Sequence, residues 1–506
     1  MTAGILQLGA DDDVAIALQP LPSGSQVGGT VAVGDIPRGH KIALRDLAGG
    51  VLVHKYGHVI GMTSRPIRTG EHVHTHNLTM PVNATGLATG AHSAAIVPPV
   101  PADLPRTFNG IVRDDGRVAT RNYIGVVTSV NCSATVAKLI VRRTEDEIAE
   151  MYTDGVDGVL ALTHDSGCGM ANSGLGWEVL RRTLTGYAKH PNIGGLIVVG
   201  LGCEVNAMRG LVDEMGLSPT LPMASFTIQD AGGTAAAVSM GISHVREMAE
   251  TLRGSRRQSV GVENLVLGMQ CGASDAWSAL TANPALGVAS DYLVSLGATS
   301  MLGETPEIYG AEQMLADRAV NGKVRDRLME RIAWWEQYTT SQGATLDGNP
   351  SPGNKEGGIT TILEKSLGSV AKGGHSPLAE IVDYAAVPTE KGFVFMDTPG
   401  YDPVSATGMV AGGANIICFT TGRGSVFGSR PAPTVKLATN SVLASRMTGD
   451  IDVDCSGIVE AGTPMLDMGR QVYQKLIDVA SGERSKSEQL GLGGEEMVPW
   501  QIGAVL

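Results

Sequence analysis

Short β-like runs dominate the start of the chain. VAVGDIPRGHKIALRDLAGG, VLVHKYGHVIGM and RPIRTGEHVHTHNL are apolar stretches broken by glycine turns, with no long amphipathic helix between them. That pattern predicts a small all-β module over residues 1–82. Residues 83–107 are rich in Pro, Gly, Ala and Thr and read as an exposed linker, long enough to lie across another surface. From residue 108 the pattern changes. YIGVVTSV, GVDGVLALT, GGLIVVGLG and ENLVLGMQ are continuous apolar runs of strand length, separated by helix-like stretches such as ATVAKLIVRRTEDEIAEMY. Apolar runs without alternation mark strands buried on both faces, so parallel sheets covered by helices are predicted. A boundary near residue 255 divides this region into 108–254 and 255–506. Residues 311–341 carry helical spacing with dense charge and predict one or two amphipathic helices. The fold class is therefore α/β: a small all-β N-terminal domain followed by two α/β domains with largely parallel sheets.

Composition sharpens this picture in two ways. The 67 glycines against few aromatics fit a protein with many tight strand-to-helix turns. The formal charge of −13 and the lack of a basic cluster argue against nucleic acid or an anionic membrane as partner. An anionic substrate would need a local positive field from a metal, a few cations or backbone N–H groups. No apolar run reaches the ~18 residues of a membrane span, and the N-terminus has no basic region, so a cytoplasmic protein is expected. Six cysteines are too sparse for a disulfide scaffold.

Candidate chemistry follows the strand ends. In open parallel sheets, ligands bind beyond the carboxyl ends of the strands. Cys132, Cys168, Cys203 and Cys271 fall at such ends, beside His164, Asp165, Glu204, Gln270 and Asp275. Any one of these cysteines is readily explained as a small core residue; their repetition is harder to dismiss. In EHVHTHN, His72, His74 and His76 alternate, so on a strand they would share one face and could hold a transition metal. His40, in PRGHK, is a weaker candidate. NPSPGNKEGG carries Asn354 and Lys355, and TTGRGSVFG carries Arg423, which suits a carboxylate clamp. Glu304 and Asp397 are weaker still. GLGCEV lacks the third glycine of a dinucleotide loop, and no phosphate-binding GxxxxGK[ST] occurs.

GIVRDDGRVATRNYIGVVTSVNCSAT, SGCGM, VVGLGCEVN, QCGASDAWSALTANPALG, NPSPGNKEGG and FTTGRGSVFG together resemble the altronate/galactarate dehydratase family. The resemblance covers essentially the whole chain, and the N-terminal module resembles a SAF domain of β-clip type. It departs at QCGASD, where the family more often has QCGGSD, placing Ala273 at a glycine position. The resemblance implies removal of water from a six-carbon sugar acid to give a 2-keto-3-deoxy acid, with activation by ferrous iron or manganese in its place. The HVHTHN stretch is similar to the altronate members, which favours altronate over galactarate.

On that reading His164 and Lys355 are expected as acid and base, with Asp275 and Glu204 orienting or ligating. Arg423, Asn354 and Gln270 are expected to bind substrate, and His72, His74, His76, Cys168, Cys203 and Cys271 are the candidate metal ligands. The long cysteine spacings favour one iron on histidine and carboxylate over an iron–sulfur cluster. The expected partner is a small sugar acid, and a homo-oligomer, a dimer first, is expected on base rates. The alternatives are galactarate, another α-hydroxyacid such as a sulfo-acid, or a sugar-acid-binding regulatory protein without catalysis.

Overall fold

The computed structural model describes residues 4–81, 96–151, 155–503 and 505, apart from the side chain of Met151. Residues 4–81 form an antiparallel β module. One sheet holds Ile5–Leu6, Val14–Ala17, Lys41–Ala43 and His72–Val73; another holds Leu52–Lys55, His58–Thr63 and Leu78–Thr79. Most of the predicted linker lies outside the described residues. Its last part lies on the C-terminal domain, where Leu104 is buried and the Tyr473 hydroxyl donates to the Pro105 carbonyl at 2.5 Å.

The next domain is a four-stranded parallel sheet: β1 (Tyr123–Thr128), β2 (Gly158–Leu162), β3 (Ile193–Gly200) and β4 (Met223–Thr227), in spatial order β2-β1-β3-β4. Every residue of β1 and β3 is buried, as their unbroken apolar runs require. Helices Ala134–Met151 and Thr234–Leu252 close one face of this sheet.

The C-terminal domain is a seven-stranded parallel sheet. It comprises β5 (Val266–Gly272), β6 (Thr299–Leu302), β7 (Leu378–Val382), β8 (Gly392–Met396), β9 (Ile416–Thr421), β10 (Thr434–Ala438) and β11 (Val453–Asp454). Their order is β7-β8-β6-β5-β9-β10-β11, so β5 is central. The charged segment at 311–341 forms helices Glu312–Ala316 and Gly322–Ser341, the second capped by the Asn321 side chain accepting from the Val324 N–H at 3.1 Å. One small sheet was not legible. Thr107–Val112 pairs antiparallel with both Val118–Ala119 and Gln258–Gly261, stitching the two ends of the middle domain together.

The two α/β domains share a core in which Val127, Leu180 and Leu184 meet Met301, Met396 and Val410. At that seam the backbones touch: a methyl group added at Gly186 would overlap the Ala411 carbonyl. The β module shares another core with the C-terminal domain, joining Val53, Ile60 and Val73 to Leu267 and Leu302. Among the described residues no helix is long and apolar enough to cross a membrane.

Candidate active site

The β module brings together three imidazoles, but not the three that alternation predicts. The strand carrying the histidines is only His72–Val73. Asn77 then turns the chain, accepting from the His74 N–H at 2.9 Å and donating to the His72 carbonyl at 2.9 Å. His76 is left exposed at the edge, its ring 5.3 Å from that of His72. His40 takes the third place, because Lys41 and Ile42 pair with Val73 and His72 across the sheet. One nitrogen each from His40, His72 and His74 lies within 4.8 Å of the others. His40 Nδ1 and His72 Nε2 are 3.0 Å apart, close to the ~3 Å that two adjacent nitrogens on one divalent ion would adopt.

The protonation states suit a metal. Burial, reinforced by the other imidazoles and Lys41, pushes His72 down to about 4 and His74 to about 3. Neutral imidazole is the ligand form. His40 is also lowered by burial, and its Nε2 lies 3.1 Å from the Glu356 carbonyl, a contact that puts the proton on Nε2 and leaves the Nδ1 lone pair facing His72. His74 Nδ1 is buried with no hydrogen-bond partner among the described residues. A buried ring nitrogen without a partner carries a desolvation cost, which ligation would remove. These residues therefore fit a divalent transition metal.

The wall opposite belongs to the C-terminal domain. NPSPGNKEGG folds into the short helix Pro352–Glu356, capped reciprocally by Ser351 and Asn354. Gly358 passes so close to the Gly39 carbonyl that a side chain there would overlap it. The β module thus rests directly on the loop carrying Lys355. Arg423 is exposed and pairs with Glu356 at 2.8 Å. Its loop is held from below: the Ala273 carbonyl accepts from the Gly422 and Arg423 N–H groups at 3.2 and 3.1 Å. Ala273 has φ 50°, in the left-handed region where glycine is favoured, so its departure from the family pattern places a strained alanine under the site.

Docking of the β module centres on one carboxylate. Glu364 accepts from Lys41 at 2.9 Å, Lys55 at 2.5 Å and the Thr360 hydroxyl at 2.7 Å. Lys41 and Lys55 are 0% and 2% exposed. Burial alone would raise the Glu364 carboxyl, but the two ammoniums hold it far below the usual range. Burial pushes Lys41 down to about 8, against the pull of Glu364.

A second buried network lies at the carboxyl ends of β5 and β6. Cys271 Sγ accepts from Lys372 Nζ at 2.9 Å, and Lys372 also meets Glu304 at 3.3 Å. Lys365 pairs with Glu307 at 2.7 Å. Burial pushes the Cys271 thiol up to about 11, so it stays protonated beside the ammonium. Burial and the neighbouring Glu307 push Asp402 up to about 7 and Glu304 well above the carboxylate range. Cys271, Glu304 and Glu307 have the spacing of a metal site, but the two lysines already supply its positive charge. Sequence reasoning missed Glu307, Lys365, Lys372, Glu364, Lys41 and Lys55; all sit in ordinary helix or strand contexts whose pairing is visible only in three dimensions.

The other predicted residues are positioned as follows. His164 Nε2 lies 3.1 Å from the Thr128 carbonyl and its Nδ1 accepts from the Ser166 N–H at 3.2 Å, which engages both ring nitrogens; burial lowers it to about 4. Asp275 is buried and accepts from the Trp277 and Ser278 N–H groups and from Ser278, Thr439 and Asn440 side chains, pinning the loops beneath Arg423. Asn354 is a cap that also donates to the Ser274 carbonyl at 2.8 Å. Gln270 is fully buried and donates to Ser405 at 2.8 Å. Glu204 accepts from Ser129 and the Gly202 N–H, both at 2.7 Å. Cys168 and Cys203 are exposed on the middle domain, whereas Cys271 is buried in the C-terminal one, so the structure does not gather these three.

A SAF-type β module that carries a cluster of neutral imidazoles, docked on a parallel α/β domain, defines the class. Family models match it in three consecutive parts. The Altronate/galactarate dehydratase SAF domain matches residues 3–81, and the D-galactarate dehydratase/Altronate hydrolase second domain matches residues 110–253. The D-galactarate/Altronate dehydratase C-terminal model matches residues 262–505. The chain is 33% identical to altronate dehydratase of Bacillus subtilis over 96% of both chains. It is 35% identical to galactarate dehydratase (L-threo-forming) of Escherichia coli, over 97% of this chain and 95% of that one. It is also 33% identical to altronate dehydratase of the same organism, again over 96% of both. The chain belongs to the altronate/galactarate dehydratase family.

Proposed function

We propose that this protein is a metal-dependent sugar-acid dehydratase that takes water from altronate to leave a 2-keto-3-deoxy acid. The observation that carries the reading is the set of three neutral imidazoles, one with an orphaned buried nitrogen, beside the loops of Arg423 and Lys355. Two of the three relatives compared above are named for altronate and one for galactarate. The HVHTHN motif favours altronate.

His40, His72 and His74 would hold ferrous iron or manganese. Bound there, the metal supplies Lewis acidity toward the substrate carboxylate and an adjacent hydroxyl, where charge builds as the C2 proton leaves. Arg423 clamps that carboxylate through its guanidinium, releasing Glu356. Lys355 Nζ takes the C2 proton and returns it to the departing C3 hydroxyl, so the C–H and C–O bonds break, a C=C bond forms and water leaves. The enol then tautomerises to the ketone. His164, with both ring nitrogens engaged, takes no part in this scheme.

The test is anaerobic turnover of altronate and galactarate side by side, with and without added ferrous iron. Iron-dependent product from altronate supports the reading. Product from galactarate alone would keep the chemistry and overturn the substrate, and no product from either would favour the binding-protein alternative.

A further inference from the structure

The RDDGR turn at residues 113–117 has no part in the proposed chemistry. It joins Thr107–Val112 to Val118–Ala119, and the pairing of Val112 with Val118 sets Arg113 opposite Arg117. The Arg113 N–H donates to the Arg117 carbonyl at 2.8 Å, and Gly116, at φ 84°, completes the turn. Like charges facing each other across a hairpin are destabilising. Only one of the two is compensated. Asp115 pairs with Arg117 at 2.6 Å. Arg113 donates from Nε to the Pro191 carbonyl at 2.8 Å, a neutral partner, and its Nη2 is buried with no hydrogen-bond partner among the described residues. Burial and the facing Arg117 lower Arg113 to about 10, which leaves it charged at neutral pH. A largely buried guanidinium without its own carboxylate is a cost until another anion meets it.

Both arginines line one cavity of about 240 Å³ at the amino ends of β3 and β4, beside Ile193 and Pro222. Arg256 joins them from the segment that follows helix Thr234–Leu252. Asp114 and Asp115 also line it, so the wall carries three cations against two carboxylates, in a chain of formal charge −13. Gly194 keeps the cavity open: a methyl group there would overlap Asn122 Oδ1 and crowd Arg113 Nη1. The hydroxyls on the wall have a fixed polarity. Thr251 donates to the Glu247 carbonyl at 2.9 Å and Ser255 to the Leu252 carbonyl at 2.8 Å, so their oxygens are left as acceptors. Guanidinium donors beside hydroxyl acceptors match a ligand that is both a carboxylate and an alcohol. The volume lies below the ~300 Å³ at which drug-sized sites begin, which suits a small acid.

We propose that Arg113, Arg117 and Arg256 form a second binding site, for a small hydroxy-carboxylate of the sugar-acid class, separate from the site of turnover. The guanidiniums take the carboxylate, and Thr251 and Ser255 accept from the ligand's hydroxyls. None of the three imidazoles, Arg423 or Lys355 lines this cavity, so a ligand held there is not placed for dehydration. It bridges the hairpin to the 251–256 segment instead. Gln258–Gly261, just beyond that segment, pairs with the same hairpin, so an occupied site fastens the small sheet that stitches the middle domain together.

Hydrogen exchange of the full-length chain, stripped of metal so that nothing turns over, reads this site by its location. Altronate or gluconate at about ten times its Kd should slow exchange across residues 111–119 and 251–257 by about tenfold. Sulfate, an anion with no hydroxyl to donate, should slow it less than twofold at matched ionic strength. Arg256 is exposed, so Arg256→Gln spares the core. Losing that contact should weaken binding about tenfold, which reduces the protection to about twofold at the same ligand concentration. Protection of the hairpin by neither acid, equal protection by sulfate, or protection untouched by Arg256→Gln would each overturn the proposal. Arg423→Gln should leave the hairpin's protection as it is and remove any at the Arg423 and Lys355 loops, so the two sites fail separately.

Discussion

Substituting Glu364→Gln tests what holds the β module in place. The change keeps the side chain's size and removes one negative charge from between two buried ammoniums. Breaking a buried ion pair from one side typically costs about 3–5 kcal/mol, because the remaining charge is stranded. Here two lysines are stranded, so the upper half of that range applies. Lys41 and Lys55 belong to the β module and Glu364 to the C-terminal domain, so the cost falls on docking between them. At about 1.4 kcal/mol per tenfold, the undocked fraction should rise by roughly 10³–10⁴. Hydrogen exchange followed by mass spectrometry reads this directly. Amides of Lys41–Ala43 and Leu52–Lys55 should exchange at least about a hundredfold faster, with those of β5 and β9 unchanged. Replacing all three charges with apolar residues (K41M/K55M/E364L) should restore much of the protection, since a well-packed apolar trio needs no pairing. Exchange within tenfold of the parent in Glu364→Gln would refute the idea that this carboxylate carries the docking.

Three further outcomes follow from the geometry. His40→Ala should weaken ferrous iron binding by more than about a hundredfold in a calorimetric titration, and His76→Ala by less than tenfold; the reverse order would reinstate the alternating trio. Burial lowers His190 from its ordinary value to about 4, so below pH 6.5 the unfolded chain takes up a proton that the folded chain refuses. The stability advantage of the parent over His190→Gln should therefore shrink by roughly 2–3 kcal/mol between pH 7 and pH 4.5 in urea unfolding, and a constant advantage would contradict it. Asp275→Asn turns an amide donor toward groups that already donate, and should lower stability by about 1–3 kcal/mol and raise the KM for sugar acid through the Arg423 loop; a change in stability with KM untouched would detach Asp275 from the site.

The apolar runs that predicted parallel strands did so because a strand buried on both faces has no choice of residue, as β1 and β3 show. The histidines were half legible. Their density was visible, but the alternation argument assumed a strand as long as the motif, and Asn77 ends it early. His40 became a ligand candidate through sheet register, which no local pattern encodes. The strand-end cysteines illustrate the same limit. Position in the chain set four of them in equivalent places, yet Cys271 ends a central strand inside a charged core, whereas Cys132, Cys168 and Cys203 end strands on an open rim. His164 and Asp275 drew notice as reactive side chains on turns. Their hydrogen bonds show that a polar residue at a strand end is as readily a brace for the turn as a tool for chemistry.

The contact of Gly186 with Ala411 has a counterpart under the β module, where Gly358 meets the Gly39 carbonyl. It is an interlock of main chains with no side chain between them, and such a joint can neither slide nor swing without a steric collision. The β module adds to its own such contact a shared apolar core and the buried trio of Lys41, Glu364 and Lys55. The C-terminal domain therefore meets each of its neighbours main chain to main chain. The imidazoles on the β module are thereby registered against the loops of Arg423 and Lys355, so the two halves of the site keep one geometry.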